Sequence, residues 1–331
     1  MAADLITVFG GSGFIGRQVV QRLAEHGAQV RVAVRQPAGA LFLKPMGDVG
    51  QVTPIQANIR DSASVRAAVA GASGVVNLVG ILAEGGRQRF DAVHRQGAAS
   101  IAEAARAAGV RRLVQVSALG AAAESPSAYA RSKAAGEAAA RQAFPDATIL
   151  RPSVVFGPQD SFFNRFAAMA QYLPALPVLG TAPTLIDGRI AWFGEGGPKF
   201  QPVYVGDVAD AVLRGLYDPA TAGKTYELGG PTVYSFKMLM DMVLQQTGRR
   251  RLLLPAPLCA ASLLATLFGW LPGAPLTRDQ VTLLRRDNII SGTLPTFADL
   301  GIAPRAVELV LPTYLDIYRR GGRYTRSQPA T

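Results

Sequence analysis

Residues that build disulfides, metal clusters and membrane spans are scarce in this chain. It has one cysteine, Cys259, and two histidines, His26 and His94. These numbers exclude an intrachain disulfide, a multi-cysteine metal cluster and a histidine-based zinc site. No apolar run reaches the ~20 residues that a bilayer-spanning helix needs, and no signal peptide precedes the first strand-like segment. We therefore expect no metal site and no transmembrane helix in a protein that is not secreted.

Acidic residues are also in the minority. The formal net charge is +11, and residues 245–331 contain eleven arginines and no lysine against five acids. Such an excess indicates an anionic ligand, an anionic lipid surface or an acidic protein partner, or else a solvated basic surface. No nucleic-acid-binding motif accompanies it, so nucleic acid is not an expected partner.

The most informative segment that the chain does contain is a glycine-rich turn. It follows an apolar run at 5–9 and opens a helical pattern that ends near Glu25. Strand, glycine turn and helix in this order are typical of a dinucleotide-binding turn, which holds the pyrophosphate at the helix N-terminus. Glycines permit the tight turn, the approach of the backbone to phosphate and the close packing of helix on strand. The predicted cofactor contacts here are Gly10, Gly11, Ser12, Gly13, Phe14, Ile15, Gly16 and Arg17.

Apolar runs and helical patterns alternate along residues 1–160, which we interpret as the dinucleotide-binding core. The alternation predicts an α/β fold with a Rossmann-type, doubly wound parallel sheet. The predicted strands are 5–9, 29–34, 52–57, 74–79, 112–117 and 147–151, and helices among them are predicted at 62–70, 92–108 and 130–143.

The pattern changes after residue 160 and predicts a smaller, mostly helical C-terminal lobe, 161–331. A helix at 162–172 is followed by a stretch rich in proline and glycine, 174–202, that we expect to be irregular. Segment 203–230 is predicted to return to the core. A helical cap over 235–320 is predicted to contain helices at 235–247, 258–270, 277–286 and 306–320.

The end of the second predicted strand indicates which cofactor is preferred. Proteins that prefer NAD usually have an acid there to bind the ribose hydroxyls, whereas this chain has Arg35. A guanidinium suits a 2′-phosphate, so NADP(H) is the predicted cofactor; the alternative is that Arg35 is an ordinary exposed loop residue. The further candidates are Asn58 and Ile59, beside the adenine, and Leu78, Val79 and Gly80, where the backbone passes the cofactor.

Tyr129 and Lys133 have the spacing of a catalytic pair. Residues four apart share one face of a helix, and an ammonium beside a phenol is expected to lower the pKa of the phenol, which suits a proton donor to a carbonyl. Lys133 is also a candidate to hold the nicotinamide ribose. Ser117, after the fifth predicted strand, is a candidate to orient a substrate oxygen.

Taken together, these motifs resemble the short-chain dehydrogenase/reductase superfamily in its extended or atypical branch. The resemblance implies that Pro152 and Val154 also contact the cofactor. The matching pieces are the glycine turn, Asn77 to Gly80, Ser117, Tyr129 with Lys133, Leu150 to Pro158, and Gln201 to Ala209. Within the superfamily the chain is similar to the family of NADPH-binding accessory subunits of respiratory complex I. That similarity implies a tightly bound, structural NADPH and a position near the membrane.

Three functions are compatible with these motifs. The first is an accessory or stability subunit associated with complex I. The second is an active NADP(H)-dependent reductase or dehydrogenase of a hydrophobic carbonyl or alcohol that uses Tyr129 and Lys133. The third is an NADP-sensing regulator. Ser117 is followed by Ala118, and a shift of one residue would remove the catalytic hydroxyl; loss of a comparable donor costs on the order of 10²–10³ in rate.

An apolar, uncharged segment at 258–271 is a candidate surface for contact with a partner. It is too short to span a bilayer but long enough to lie in one leaflet. Arg249, Arg250 and Arg251 precede it and suit lipid phosphates, and Trp270 suits an interfacial anchor. The alternative is a helix that is apolar because it is buried over the substrate cleft. The basic, apolar lobe therefore predicts contact with complex I subunits or with a membrane surface, on the cytoplasmic or matrix-like face.

Overall fold

The computed structural model describes residues 4–186, 189–268 and 276–322. The chain divides into two compact units. The first comprises Met1–Ser153, Val205–Gly229 and Ile290–Pro304, and the second comprises Val154–Tyr204, Gly230–Ile289 and Arg305–Thr331. Residues 290–304, which we predicted within the helical cap, thus belong to the first unit. They are held there because the Glu227 N–H donates to the Pro295 carbonyl oxygen at 2.8 Å.

Fifteen strands occur in the described residues. In chain order they are β1 (Leu5–Phe9), β2 (Gln29–Val34), β3 (Val52–Gln56), β4 (Gly74–Asn77), β5 (Arg112–Val116), β6 (Thr148–Pro152), β7 (Val155–Phe156), β8 (Ala175–Leu179), β9 (Thr184–Ile186), β10 (Arg189–Ala191), β11 (Lys199–Phe200), β12 (Val203–Tyr204), β13 (Thr225–Leu228), β14 (Tyr234–Ser235) and β15 (Leu252–Ala256).

The first unit is built on a seven-stranded sheet with the order β13-β6-β5-β4-β1-β2-β3. Every pairing in it is parallel, which confirms the predicted Rossmann-type architecture. The strands form because their branched side chains are covered on both faces; Ile6, Val8 and Phe9 of β1 are at most 2 % exposed. The carboxyl ends of parallel strands lie at one edge of the sheet, where dinucleotides bind.

Helices cover this sheet. They are α1 (Phe14–Glu25), α2 (Ser62–Val69), α3 (Gly97–Ala107), α4 (Ala128–Ala143) and α6 (Val205–Tyr217). The helix predicted at 92–108 begins with a π-helical turn, Asp91–Gln96, and continues as α3. Such turns insert an extra residue into a helix and are frequent at functional sites.

The second unit contains short two-stranded sheets instead of one large sheet. The stretch 174–202, which we predicted to be irregular, contains four of the strands, β8 to β11, so that prediction was wrong. β8 pairs in parallel with β15, because Leu176 and Val178 alternate with less buried residues and are themselves fully buried. Proline and glycine in the sequence obscured this alternation.

The helices of the second unit are α5 (Phe163–Tyr172), α7 (Phe236–Thr247), α8 (Leu258–Phe268), α9 (Arg278–Leu283) and α10 (Val307–Val310). The predicted helix at 306–320 is instead α10 followed by two short 3₁₀ turns, because Pro312 has no N–H to continue an α-helix. Residues 269–271 of the predicted apolar segment, including Trp270, lie outside the described residues. Within the described ranges, no helix is both long and apolar enough to cross a bilayer.

Candidate functional site

The glycine turn joins β1 to α1 with very little space. Gly10 has a positive φ of 79°, which favours glycine. A Cβ on Gly16 would lie 2.3 Å from the Gly10 carbonyl oxygen, and one on Gly11 would lie 2.7 Å from Val32 Cγ1. Gly13 is the N-cap of α1, and neither a capping side chain nor an acid occupies the first turn of the helix. The geometry thus leaves the helix N-terminus open to an anionic ligand.

Arg17 lies beside this turn. Its guanidinium stacks 5.0 Å from the centre of the Phe42 ring and approaches the carbonyl oxygens of Ser12 and Gly13 at 3.5 and 3.4 Å. These contacts hold a positive charge next to the predicted pyrophosphate position. Phe14 and Ile15 form the first turn of α1 and are half-buried.

Arg35 follows β2 at the edge of the sheet and is exposed. It lines a cleft of about 450 Å³ together with Asn58, Asp61 and three further residues, Gln56, Ala57 and Ser64. The structure therefore brings Arg35 and Asn58, from the ends of two neighbouring strands, to one cleft. The Asp61 carboxylate in the same cleft caps α2 by accepting the Ala63 N–H at 3.1 Å.

Asn58 and Ile59 turn the chain after β3. The Asn58 side-chain oxygen accepts the Arg60 N–H at 3.2 Å, and the Asn58 N–H donates to Ser64 Oγ at 3.0 Å. Ile59 packs against Gly97 at the start of α3, where an added Cβ would lie 2.6 Å from Ile59 Cδ1. The side-chain oxygen of Asn58 is thus used by the turn that follows β3. Ile59 packs beside the end of the π-helical turn.

Leu78, Val79 and Gly80 follow β4 directly beside the glycine turn. A Cβ on Gly10 would lie 3.2 Å from the Leu78 carbonyl carbon. The buried Asn77 fixes this crossing, because its side-chain oxygen accepts the Val79 N–H at 3.0 Å and its amide donates to Gln115 Oε1 at 2.7 Å. The backbone after β4 is therefore held close beside the glycine turn.

Tyr129 and Lys133 lie one turn apart on α4, with Lys133 Nζ 5.9 Å from the centre of the Tyr129 ring. Lys133 is 8 % exposed. Burial raises the pKa of Tyr129 to about 12 and lowers the pKa of Lys133 to about 8. Our expectation that the ammonium lowers the pKa of the phenol was wrong, because loss of water around the phenolate outweighs the nearby charge. The phenol stays protonated at neutral pH, as a proton donor must.

His94 is a residue of this site that the sequence analysis missed. It lies in the π-helical turn, is 3 % exposed and packs edge-on against the Tyr129 ring at 5.6 Å. Its Nε2 accepts the Ile81 N–H at 3.0 Å, so Nδ1 carries the proton and donates to Ser132 Oγ at 2.8 Å. Burial, with the Lys133 charge, lowers the pKa of His94 to about 3. His94 therefore acts as a neutral link between the chain after β4 and α4.

Ser117 follows β5 and is 5 % exposed. Among the described residues its Oγ has no hydrogen-bond partner, whereas Ala118 next to it is half-buried. A buried hydroxyl without a partner costs free energy unless a ligand completes it. Which of the two positions faces a substrate stays a prediction.

The last two candidates fall in different units. Pro152 ends β6 in the first unit. Val154 belongs to the second unit, where its N–H donates to Asn288 Oδ1 at 3.2 Å. In the described part of the chain, no cluster of histidine, cysteine and acidic side chains is suited to hold a metal ion.

Comparison with known proteins connects this geometry to a family. The profile of the NAD dependent epimerase/dehydratase family matches residues 6–229. NADH dehydrogenase (ubiquinone) 1 alpha subcomplex subunit 9, mitochondrial, of Mus musculus is 35 % identical over 320 residues, which are 96 % of this chain and 80 % of that protein. The protein of the same name from Arabidopsis thaliana is 36 % identical over 328 residues, covering 96 % and 78 %.

Two further likenesses are informative. A ceramide reductase of Caulobacter vibrioides is 35 % identical over 187 residues, which cover 54 % of this chain and 55 % of that enzyme. The fold is similar to that of an NADPH-dependent quinone oxidoreductase of Escherichia coli solved with NADPH, with a TM-score of 0.68 and 21 % identity over 94 % of this chain and 98 % of that one. The chain belongs to the NAD dependent epimerase/dehydratase family, a nicotinamide-dinucleotide-binding branch of the short-chain dehydrogenase/reductases, as its motifs predicted.

Proposed function

We propose that this protein is an accessory or stability subunit associated with respiratory complex I, with NADP(H) bound in a structural role. The observation that carries the proposal is the identity of 35–36 % to two mitochondrial NADH dehydrogenase subunits over 96 % of the chain. A ligand that binds only the native state stabilises it by about 2.7 kcal/mol at a hundredfold excess over Kd. The nucleotide thereby acts as part of the fold.

The proposed nucleotide site follows the sheet edge of the first unit. The turn from Gly10 to Arg17 holds the pyrophosphate, with Leu78, Val79, Gly80 and Pro152 along the cofactor. Lys133 and Tyr129 hold the nicotinamide ribose. Arg35 binds the 2′-phosphate and Asn58 the adenine, because both line one cleft. Val154 and Ile59 remain proposed contacts.

The cofactor preference is tested at Arg35. Arg35→Asp should weaken NADPH binding by at least about tenfold and leave NADH binding nearly unchanged, because the guanidinium is proposed to bind only the 2′-phosphate. Calorimetry with both nucleotides measures this. Arg106→Asp on α3, an exposed arginine that donates to the Ala143 carbonyl oxygen, makes the same charge change away from the cleft. An unchanged NADPH-to-NADH ratio in Arg35→Asp contradicts the assignment.

The proposed partner is tested in native membranes. Tagged protein purified under mild detergent should carry complex I subunits with it in near-equal amounts, and its deletion should lower the amount of assembled complex I. Recovery of the protein alone, from the soluble fraction at low salt, contradicts the accessory role.

The second unit supplies a surface for the proposed peripheral position at the energy-transducing membrane. Helix α8 buries its alanines, Ala261 and Ala265, which are 6 % and 5 % exposed, while Leu263, Leu264 and Leu267 are 54–60 % exposed. A soluble helix normally does the reverse. The arginines Arg249 to Arg251 precede it, and each basic residue near an anionic bilayer contributes about 1 kcal/mol. These features favour an anionic lipid surface.

Sedimentation with vesicles tests this surface. The wild-type protein should bind vesicles rich in anionic phospholipid and should dissociate in high salt. Leu263→Gln with Leu267→Gln should abolish binding. Leu309→Gln on α10, where the leucine is 71 % exposed, is the control and should bind normally. Equal binding of all variants contradicts the role of α8.

A second function, an active NADP(H)-dependent reductase, is favoured by two observations. The chain keeps Tyr129, Lys133 and Ser117, and it is 35 % identical to a ceramide reductase over about half its length. Reduced nicotinamide supplies a hydride when bound; the Tyr129 phenol, protonated because burial raises its pKa to about 12, donates a proton to the substrate oxygen. A hydrophobic carbonyl or alcohol is the proposed substrate class. NADPH oxidation with a hydrophobic carbonyl substrate that Tyr129→Phe abolishes would favour this function. No NADPH oxidation with such substrates would favour the accessory role.

A further inference from the structure

Four charged side chains of the first unit form a row: Lys133, Glu137, Arg151 and Glu227. Arg151 is half-buried and the other three are buried. Lys133 and Glu137 lie one turn apart on the same face of α4 and are 8 % and 6 % exposed. The Glu137 carboxylate accepts both N–H groups of the Arg151 fork, at 2.9 Å from Nε and 2.6 Å from Nη2. Glu227 pairs in register with Arg151 on the neighbouring strand and is 5 % exposed. The row therefore joins α4 to two strands of the sheet.

The Lys133 ammonium has few hydrogen-bond acceptors around it among the residues that the structure describes. Its contact in the described part of the chain is the Val116 carbonyl oxygen at 3.5 Å, although an ammonium can donate three hydrogen bonds. Burial lowers the pKa of Lys133, and the Glu137 charge opposes this by raising it. The opposing charge matters because a neutral amine would bind ligand oxygens less strongly than an ammonium.

The other titratable groups around Lys133 do not replace Glu137. His94, from the π-helical turn, is neutral because its pKa is lowered to about 3. Tyr129 is neutral because its pKa is raised to about 12. Arg151, from β6, is positive and is itself held by Glu137; Glu227, from β13, acts on Arg151.

We propose that Glu137, locked in place by Arg151, is a positioning residue that keeps the Lys133 ammonium charged and thereby sets the upper pH limit of nucleotide binding. The proposal rests on the proposed nucleotide site of this unit. Arg151 fixes both oxygens of the carboxylate, so that Glu137 acts on Lys133 through its field and not by a direct ion pair. Glu137 is not among the proposed nucleotide contacts.

The pH dependence of NADPH binding between pH 6 and 9.5 tests the proposal. In the wild type, affinity should fall as the pH rises through about 8, where Lys133 loses its proton. In Glu137→Gln, which keeps the shape and an acceptor for Arg151, the fall should begin about one pH unit lower, because an opposite charge nearby favours the charged form. Glu137→Asp keeps the charge and should restore the wild-type profile. Glu227→Gln is the matched control, with no shift of the midpoint.

A merely structural role gives a different result. If Glu137 were merely structural, Glu137→Gln would weaken NADPH binding equally at every pH and leave the midpoint of the pH profile unchanged. That result would overturn the proposal. Lysine side-chain NMR provides a readout without nucleotide, since the chain has only five lysines. The Lys133 resonance, assigned by its loss in Lys133→Arg, should titrate at lower pH in Glu137→Gln than in the wild type; identical midpoints would also overturn the proposal. Absence of NADPH binding at every pH would instead refute the proposed nucleotide site, and the NMR titration would still decide the coupling.

Discussion

The first unit hides its large apolar side chains, whereas the second unit presents many of them to solvent. Of the eighteen large hydrophobic side chains that are exposed in the described part of the chain, four lie in the first unit and fourteen in the second. The first unit also contains the row of charges formed by Lys133, Glu137, Arg151 and Glu227. Contiguous exposed apolar groups mark interaction surfaces, and Leu263, Leu264 and Leu267 of α8 are such a group. The contrast fits the proposed function, in which the first unit binds the nucleotide and the second unit contacts a larger partner.

The largest expected effect lies at the glycine turn. Gly16→Ala should weaken nucleotide binding by about 100-fold, roughly 2.8 kcal/mol of binding free energy, because the new Cβ would lie 2.3 Å from the Gly10 carbonyl oxygen. Gly39→Ala, at a glycine with open space around it, should bind normally. Calorimetry on both variants measures this; equal affinity would show that the turn does not hold the ligand.

The next largest expected effect is in the second unit. It is a loss of folding stability without a loss of nucleotide binding. The Tyr314 hydroxyl donates to the buried Asp160 carboxylate at 2.6 Å. Tyr314→Phe should lower the free energy of unfolding by about 2 kcal/mol, the usual contribution of a hydrogen bond to a charged group. Denaturation in urea checks this against Tyr172→Phe, where the tyrosine is 84 % exposed and little change is expected. A loss below about 0.5 kcal/mol in Tyr314→Phe would contradict the account.

His94 makes the first unit sensitive to acid. Its pKa in the folded protein, about 3, lies below the ordinary histidine value of 6.5, so the unfolded chain binds a proton first as the pH falls. The stability of the fold should therefore decrease from pH 6.5 toward pH 3, by at most about 1.4 kcal/mol per pH unit from this group. His94→Gln should flatten the dependence in urea denaturation between pH 7 and 5. An identical slope in both proteins would show that His94 is protonated in the fold.

The smallest effects concern two helix caps, one in each unit. Ser127 accepts the Ala130 N–H at the start of α4, and Thr277 forms a capping box with Gln280 at the start of α9. Substitution of either by alanine should cost about 1 kcal/mol of stability. Only Ser127→Ala should also weaken NADPH binding, since α4 carries Tyr129 and Lys133. Equal weakening by Thr277→Ala would remove the distinction between the units.

The parallel sheet was predictable because short segments rich in branched apolar residues, such as Leu5–Phe9 and Gln29–Val34, alternate with helical patterns. The clustering of Arg35 with Asn58 followed from the same topology. The strand β8 was missed because prolines hide its alternation, and Pro312 ended a helix that periodicity alone extended.

The features of the site that the sequence did not predict depend on contacts between residues far apart in the chain. His94 gains its role from a π-helical turn and from partners at Ile81 and Ser132, none of which follows from local pattern. Glu137 and Arg151 lie on a helix and a strand and meet only in the folded chain. Burial also reversed the expected direction of the Tyr129 pKa, because the sequence shows the neighbouring charge but not the loss of water.

The most direct test of the account is the chemical identity of the nucleotide held by the first unit. Protein purified from its native source without added cofactor should release NADP(H) on denaturation, close to one molecule per chain by mass spectrometry. Release of NAD(H) alone would contradict the assignment of Arg35. A nucleotide-free protein that binds neither coenzyme in calorimetry would contradict the central claim.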